Sequence, residues 1–146
     1  MKLFGIFVIV VALAIPLPMM STEASLMHPI AAFSQYIGVC ALILMSFSMI
    51  MATRWPGVEL VFGSLDQTYR LHKWVGVSAA LSILFHDTVD PDFHNVKKDW
   101  LYHFAETLGE VGLYGILALA VISVTLLIPY RLWKYTHKIM GVFFIL

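Results

Sequence analysis

Charge and cysteine are scarce in this sequence. Only 12% of its 146 residues are Asp, Glu, Lys or Arg, about half the share in soluble domains, so there is too little polar surface to cover a water-soluble core. Nine basic side chains balance nine acidic ones, and no net field attracts nucleic acid or an acidic partner. The single cysteine, Cys40, excludes an intrachain disulfide and a cysteine-ligated metal cluster within one chain. Inside an apolar stretch it reads as a packing residue.

What remains is apolar: 60% of the residues are hydrophobic and the mean hydropathy is +0.86. This predicts an all-α, polytopic transmembrane bundle embedded in lipid, with four full spans and a fifth cut short, forming one incomplete domain over residues 1–146. The first run, 3–20, follows Lys2 and is too long for a signal peptide core. The following Ser-Thr-Glu-Ala-Ser is a poor cleavage site, so the run is expected to be an uncleaved helix, bent or ended by Pro16 and Pro18. A second span is expected at 30–53, rich in small and flexible residues that permit close helix packing. Arg54-Trp55-Pro56-Gly57 ends it, and an interfacial connector with a Gly63-Ser64 turn leads to a third span at 69–89. The uncharged core of that span, 74–85, is short, and its place between strong neighbours assigns it to the membrane. A polar loop is expected over 87–107, a fourth span over 108–128, and a fifth from 132 that is still apolar at Leu146.

Orientation follows from the cations. Lys2, Arg54, Arg70, Lys73, Arg131, Lys134 and Lys138 fall on one side, against Lys97 and Lys98 on the other. The amino terminus is therefore expected in the cytoplasm.

The third span carries His72 and His86, fourteen residues apart. That spacing returns to nearly the same helix face and covers about 21 Å, against a hydrocarbon core about 30 Å thick. One imidazole falls near each membrane surface, which suits two cofactors stacked across a bilayer. The stretch opening with His72 also recurs: His72-Lys73-x-x-Gly76-Val77 is echoed by His137-Lys138-x-x-Gly141-Val142, each with a tyrosine close before it (Tyr69, Tyr135). A glycine one turn after the histidine leaves room for the edge of a flat macrocycle, so Gly76 and Gly141 are candidates for clearance. Arg70, Lys73, Arg131 and Lys134 are candidates to neutralise carboxylates at the surface. Two imidazoles, room for a ring and cations for its propionates are the requirements of a haem. His72 and His137 would complete an inner haem, and His86 would hold an outer one from one face, with its partner expected at 150 or 151.

The other ionisable residues have plainer readings. His28 reads as interfacial. His94 and His103 lie in a loop with Asp90, Asp92 and Asp99, where solvation is a commoner role than metal binding. Asp66 is placed to cap the third helix, and Trp55, Trp74, Trp100, Trp133 and Tyr135 fit interfacial aromatic belts.

From about Gly57 onward the chain resembles the ferric reductase-like transmembrane domain. The family includes ferric reductases, NADPH oxidases and the bacterial haem subunit serving periplasmic methionine sulfoxide reductase. The resemblance lies in 62–74, Phe-Gly-Ser-Leu-Asp-Gln-Thr-Tyr-Arg-Leu-His-Lys-Trp, and in 129–138, Pro-Tyr-Arg-Leu-Trp-Lys-Tyr-Thr-His-Lys. It covers roughly three fifths of the chain and implies a six-helix core holding two stacked bis-histidine b haems between the third and fifth helices. It further implies that His72 and His137 ligate the inner haem iron and His86 the outer. The sixth helix and fourth ligand are absent from the sequence, as is any Gly-rich phosphate loop of a flavin and nicotinamide domain. A flavin would then belong to a missing region or a partner. The donor would be a cytoplasmic flavin or nicotinamide reductase, or a quinone, and the outer acceptor ferric iron, dioxygen or a periplasmic redox protein.

The expectation is thus a bacterial-type inner-membrane haem protein, the transmembrane part of an oxidoreductase, carrying electrons from the cytoplasmic side outward. The alternative from another class is a non-redox membrane protein, either a metal-ion carrier or a helical scaffold subunit. The spans bring almost no acidic or broken-helix elements to mid-membrane, as a transporter would.

Overall fold

The structure, a computed structural model, describes residues 3–26, 29–89, 99–125 and 128–145. Among these residues all regular structure is helical. The chain divides into two compact units, Met1–Pro91 and Asp92–Leu146.

In the first unit the apolar amino-terminal run is broken where proline removes a backbone donor. Helix α1 spans Leu3–Ala14 and α2 spans Leu17–Leu26, with a turn at Ile15 and Pro16 between them. The hydroxyl of Tyr36 donates to the carbonyl of Leu13 at 3.0 Å, satisfying one of the orphan acceptors that a helix end leaves. Helix α3 spans Pro29–Ala52. The chain then turns through Arg54, whose φ of 54° is left-handed, into a short α4, Pro56–Phe62, with proline at its start. The interfacial connector thus contains a helix. Gly63, at φ 108°, and Ser64 turn the chain into α5, Leu65–Thr88. Packing of α4 on α1 needs Gly5, since a side chain there would meet Cα of Phe62 and the carbonyl oxygen of Val61, each at 3.0 Å.

The main seam of this unit runs between α3 and α5. Helix α3 buries Ala31, Ala32, Ser34, Cys40, Ala41, Leu44, Met45 and Met51. Helix α5 buries Thr68, Leu71, Val75 and Ala79 at spacings of three and four, the period of a single helix face. Small residues let the two backbones approach closely. Phe33 meets Phe85 edge to face at 6.1 Å. Large apolar residues on the outer faces, Leu42, Ile50 and Leu81 among them, are exposed, as side chains turned toward lipid would be.

In the second unit α6 spans Trp100–Thr125 and α7 spans Tyr130–Ile145. The polar loop expected to reach 107 therefore ends by Asp99. The Asp99 carboxylate accepts from the amide of Tyr102 at 2.9 Å, a helix cap that starts α6 about two turns before its apolar run. Pro129 ends the connector, and its carbonyl accepts from the amides of Leu132 and Trp133 at 2.9 and 3.0 Å. Packing of α7 on α6 is close at Gly112, where an added Cβ would lie 3.2 Å from the Phe143 carbonyl oxygen, and at Gly115, where it would overlap the Phe143 ring.

Among the described residues three segments are long and apolar enough to cross a membrane: Leu3–Ser21, Pro29–Ala52 and Trp100–Ser123. Four full spans were expected, and α5 is the one that differs. Its 24 residues cover about 36 Å, enough for a crossing, but Asp66, Arg70 and Lys73 in its opening turns lower its apolar character.

Candidate histidine ligand site

Helix α5 is straight enough in register that His72 and His86 meet α3 in the same way. Nδ1 of His72 lies 3.0 Å from the carbonyl oxygen of Ser48 and 3.1 Å from its hydroxyl. Nδ1 of His86 lies 2.8 Å from the carbonyl oxygen of Ser34 and 3.0 Å from its hydroxyl. The two serines are fourteen residues apart on α3, as the two histidines are on α5. With the helices antiparallel, one register satisfies both pairs.

This geometry decides the tautomer. A carbonyl oxygen has no proton to give, so in each ring Nδ1 carries the proton and donates it. The lone pair of the neutral imidazole is then on Nε2. At the outer ring, the Ser34 hydroxyl also lies 3.2 Å from the carbonyl of Val89 and 3.4 Å from that of His86. It donates into these carbonyls at the end of α5 and accepts from the imidazole. Ser34 is fully buried, and these bonds offset the cost of placing a hydroxyl in an apolar seam.

Glycine serves the two rings differently. A Cβ at Gly38 would lie 3.2 Å from Cε1, Nδ1 and Nε2 of His86 alike, so that ring rests face-on against α3 one turn from Ser34. A Cβ at Gly76 would meet only the Ser48 hydroxyl, at 3.8 Å. No neighbour among the described residues requires glycine there.

His137, in the second unit, repeats the theme with a different acceptor. Its Nδ1 lies 3.1 Å from the hydroxyl of Ser123 on α6. Trp133 stacks on the His137 ring at 4.9 Å and 19°, and Tyr130 stacks on Trp133 at 5.6 Å and 22°. Trp133 is therefore half-buried against the histidine, in contrast to Trp55, Trp74, Trp100 and Tyr135, which are exposed.

The candidate cations are all exposed. Arg70 pairs with Asp66 at 2.9 Å across one helical turn. Asp66 thus does not cap α5: Ser64 stands at the cap, without a side-chain bond. Lys73, Arg131 and Lys134 lie at the helix starts, and Gly141 lies one turn beyond His137 in α7. His103 is exposed and lies 3.3 Å from Glu106. The expectations for His28, His94, Asp90, Asp92, Lys2, Lys97 and Lys98 lie outside the described residues. Among the described residues no three His, Cys, Asp or Glu side chains gather into a metal-binding group, so what α5 offers is separate, oriented imidazoles.

The serines were missed in the sequence because a serine in an apolar helix reads as a small packing residue. The one available signal was the shared spacing of fourteen between Ser34 and Ser48 and between His72 and His86.

A membrane helical protein that carries paired, oriented imidazoles on one helix is the class these features define. The chain belongs to the family described as ferric reductase like transmembrane component, which it matches over residues 37–146. The match takes in α4 to α7 and most of α3. A comparison with curated proteins finds no match.

Proposed function

We propose that the chain is the haem-carrying membrane part of an electron-transfer oxidoreductase, passing single electrons from the cytoplasmic side to an outer acceptor. The observation that carries this reading is that Nδ1 of His72 and of His86 lies 3.0 and 2.8 Å from a backbone carbonyl oxygen, an arrangement that puts the proton on Nδ1 and would leave Nε2 to hold iron. The donor set fits haem b: two imidazoles on one helix face, each held through Nδ1, with room for a Cβ at Gly76 one turn beyond His72. Haem, when bound, supplies the one-electron redox chemistry.

In this reading α5 crosses the membrane, so His72 serves an inner haem and His86 an outer one, about 21 Å apart along the helix. The shared His-Lys-x-x-Gly-Val motif assigns His137 to the same haem as His72, with Gly141 matching Gly76. Lys73, Arg131 and Lys134 are the candidate propionate partners, and Arg70 would share its charge between a propionate and Asp66. The excess of Lys and Arg beside the starts of α5 and α7 supports a cytoplasmic amino terminus. The donor is a cytoplasmic flavin or nicotinamide reductase, or a quinone, and the acceptor is ferric iron, dioxygen or a redox protein outside the membrane.

Oxidised and dithionite-reduced visible spectra of the detergent-purified protein, with haem counted per chain, test this reading. Low-spin b-type bands that shift on reduction are expected. His72→Ala is expected to remove the inner haem while membrane insertion is retained; unchanged haem content in that variant refutes the ligand assignment.

A further inference from the structure

We propose that Ser34 and Ser48 are positioning residues, which orient His86 and His72 through Nδ1 and thereby set the reduction potential of the haem that each ring ligates. The proposal rests on the haem reading above.

Helix α3 carries buried small residues, Ala31, Ala32 and Ala41 among them. An alanine would fill the volume of either serine without desolvating a hydroxyl. The oxygen is therefore the informative atom, and in both cases it lies within 3.1 Å of an imidazole Nδ1. Each N–H meets two acceptors on one residue, the backbone carbonyl and the side-chain hydroxyl. Only the second depends on the residue type.

At Ser34 the acceptor role of the hydroxyl is enforced, because its own proton is directed to the carbonyl of Val89 at 3.2 Å. The oxygen lone pairs then face the imidazole. Acceptors on Nδ1–H make Nε2 a stronger donor, which favours ferric over ferrous iron and lowers the potential. The same bonds resist rotation of the ring about its Cβ–Cγ bond. At Ser48 the contact with His72 is the only hydroxyl contact among the described residues. Both serines thus tune a ring, and Ser34 additionally ties its ring to the end of α5.

The test uses the full chain, labelled with 15N-histidine and purified in detergent, in wild-type, Ser34→Ala, Ser48→Ala and Ser48→Thr forms. Ser48 is half-buried, so threonine restores the hydroxyl with room for its methyl group. Ring-nitrogen NMR of haem-depleted protein is expected to show the Nδ1–H form at both histidines. In haem-loaded protein each alanine variant is expected to shift one potentiometric component upward and leave the other in place. A tenfold change in the ferric-over-ferrous binding ratio is about 59 mV for a one-electron couple, the order of shift expected. Ser48→Thr is expected to return the shifted component to the wild-type value.

Unmoved potentials in both alanine variants overturn the proposal, as does a shift that threonine fails to reverse, since that would report packing alone. An Nε2–H tautomer in the wild type overturns it without any haem being bound. If one alanine variant does not accumulate, the potential of the other still decides, and the tautomer is read in the wild type alone. A wild type that takes up no haem under haem-replete conditions refutes the haem reading itself and removes the potential-setting role with it. Haem uptake with unmoved potentials refutes only the role of the serines.

Discussion

Gly38→Ala separates the stability of the fold from the geometry of one histidine. The added Cβ would lie 3.2 Å from three atoms of the His86 ring, where unstrained carbon contacts are about 3.5 to 4.0 Å. The ring must therefore retreat by about 0.3 to 0.8 Å. The bonds from Nδ1 to Ser34, at 2.8 and 3.0 Å, would then stretch toward or past the usual limit of about 3.2 Å. Weakening them costs about 0.5 to 1.5 kcal/mol. Replacing glycine inside a helix returns about 0.8 to 1.0 kcal/mol of propensity, so the two effects nearly cancel. Thermal unfolding in detergent is expected to change by a few degrees at most. If the chain holds haem as proposed, the component assigned to His86 should shift or fall in amplitude in a potentiometric titration. The component at His72, about 21 Å along α5, should hold. Loss of both components together, or of neither, would refute the argument that Gly38 acts through direct support of the His86 ring.

Two other substitutions complete the set. Gly76→Ala adds a methyl group whose nearest protein neighbour is the Ser48 hydroxyl at 3.8 Å; stability should hold or rise by up to about 1 kcal/mol, while haem per chain falls if the space serves a macrocycle. Full haem content in that variant would remove Gly76 from the cofactor site. Asp99→Ala removes the acceptor for the Tyr102 amide and should destabilise the start of α6 by about 1 kcal/mol, read as faster amide exchange over its first turns with the haem spectrum unchanged.

The sequence by itself determined the helical, lipid-embedded character of the chain. The break at Pro16, the turn at Gly63 and Ser64, and the shared face of His72 and His86 were all legible in it. Each of these depends on local chemistry: a missing backbone donor, a left-handed glycine, or the period of one helix. The tertiary structure decided which helix lies against that face and in what register. The antiparallel pairing of α3 with α5 puts Ser48 on His72 and Ser34 on His86, and so selects the tautomer of each ring. Local pattern also misjudged polar residues with more than one available partner. Asp66 was placed to cap α5 but pairs with Arg70 one turn away, and Asp99, assigned to a loop, caps α6. Trp133, which the pattern offers to an interfacial belt, also stacks on His137, a contact that the pattern does not give. Hydropathy averages over a window and periodicity reports one helix at a time. Partner choice for a carboxylate, an indole or an imidazole depends on single atoms within about 3 Å, often brought together from residues distant in the chain.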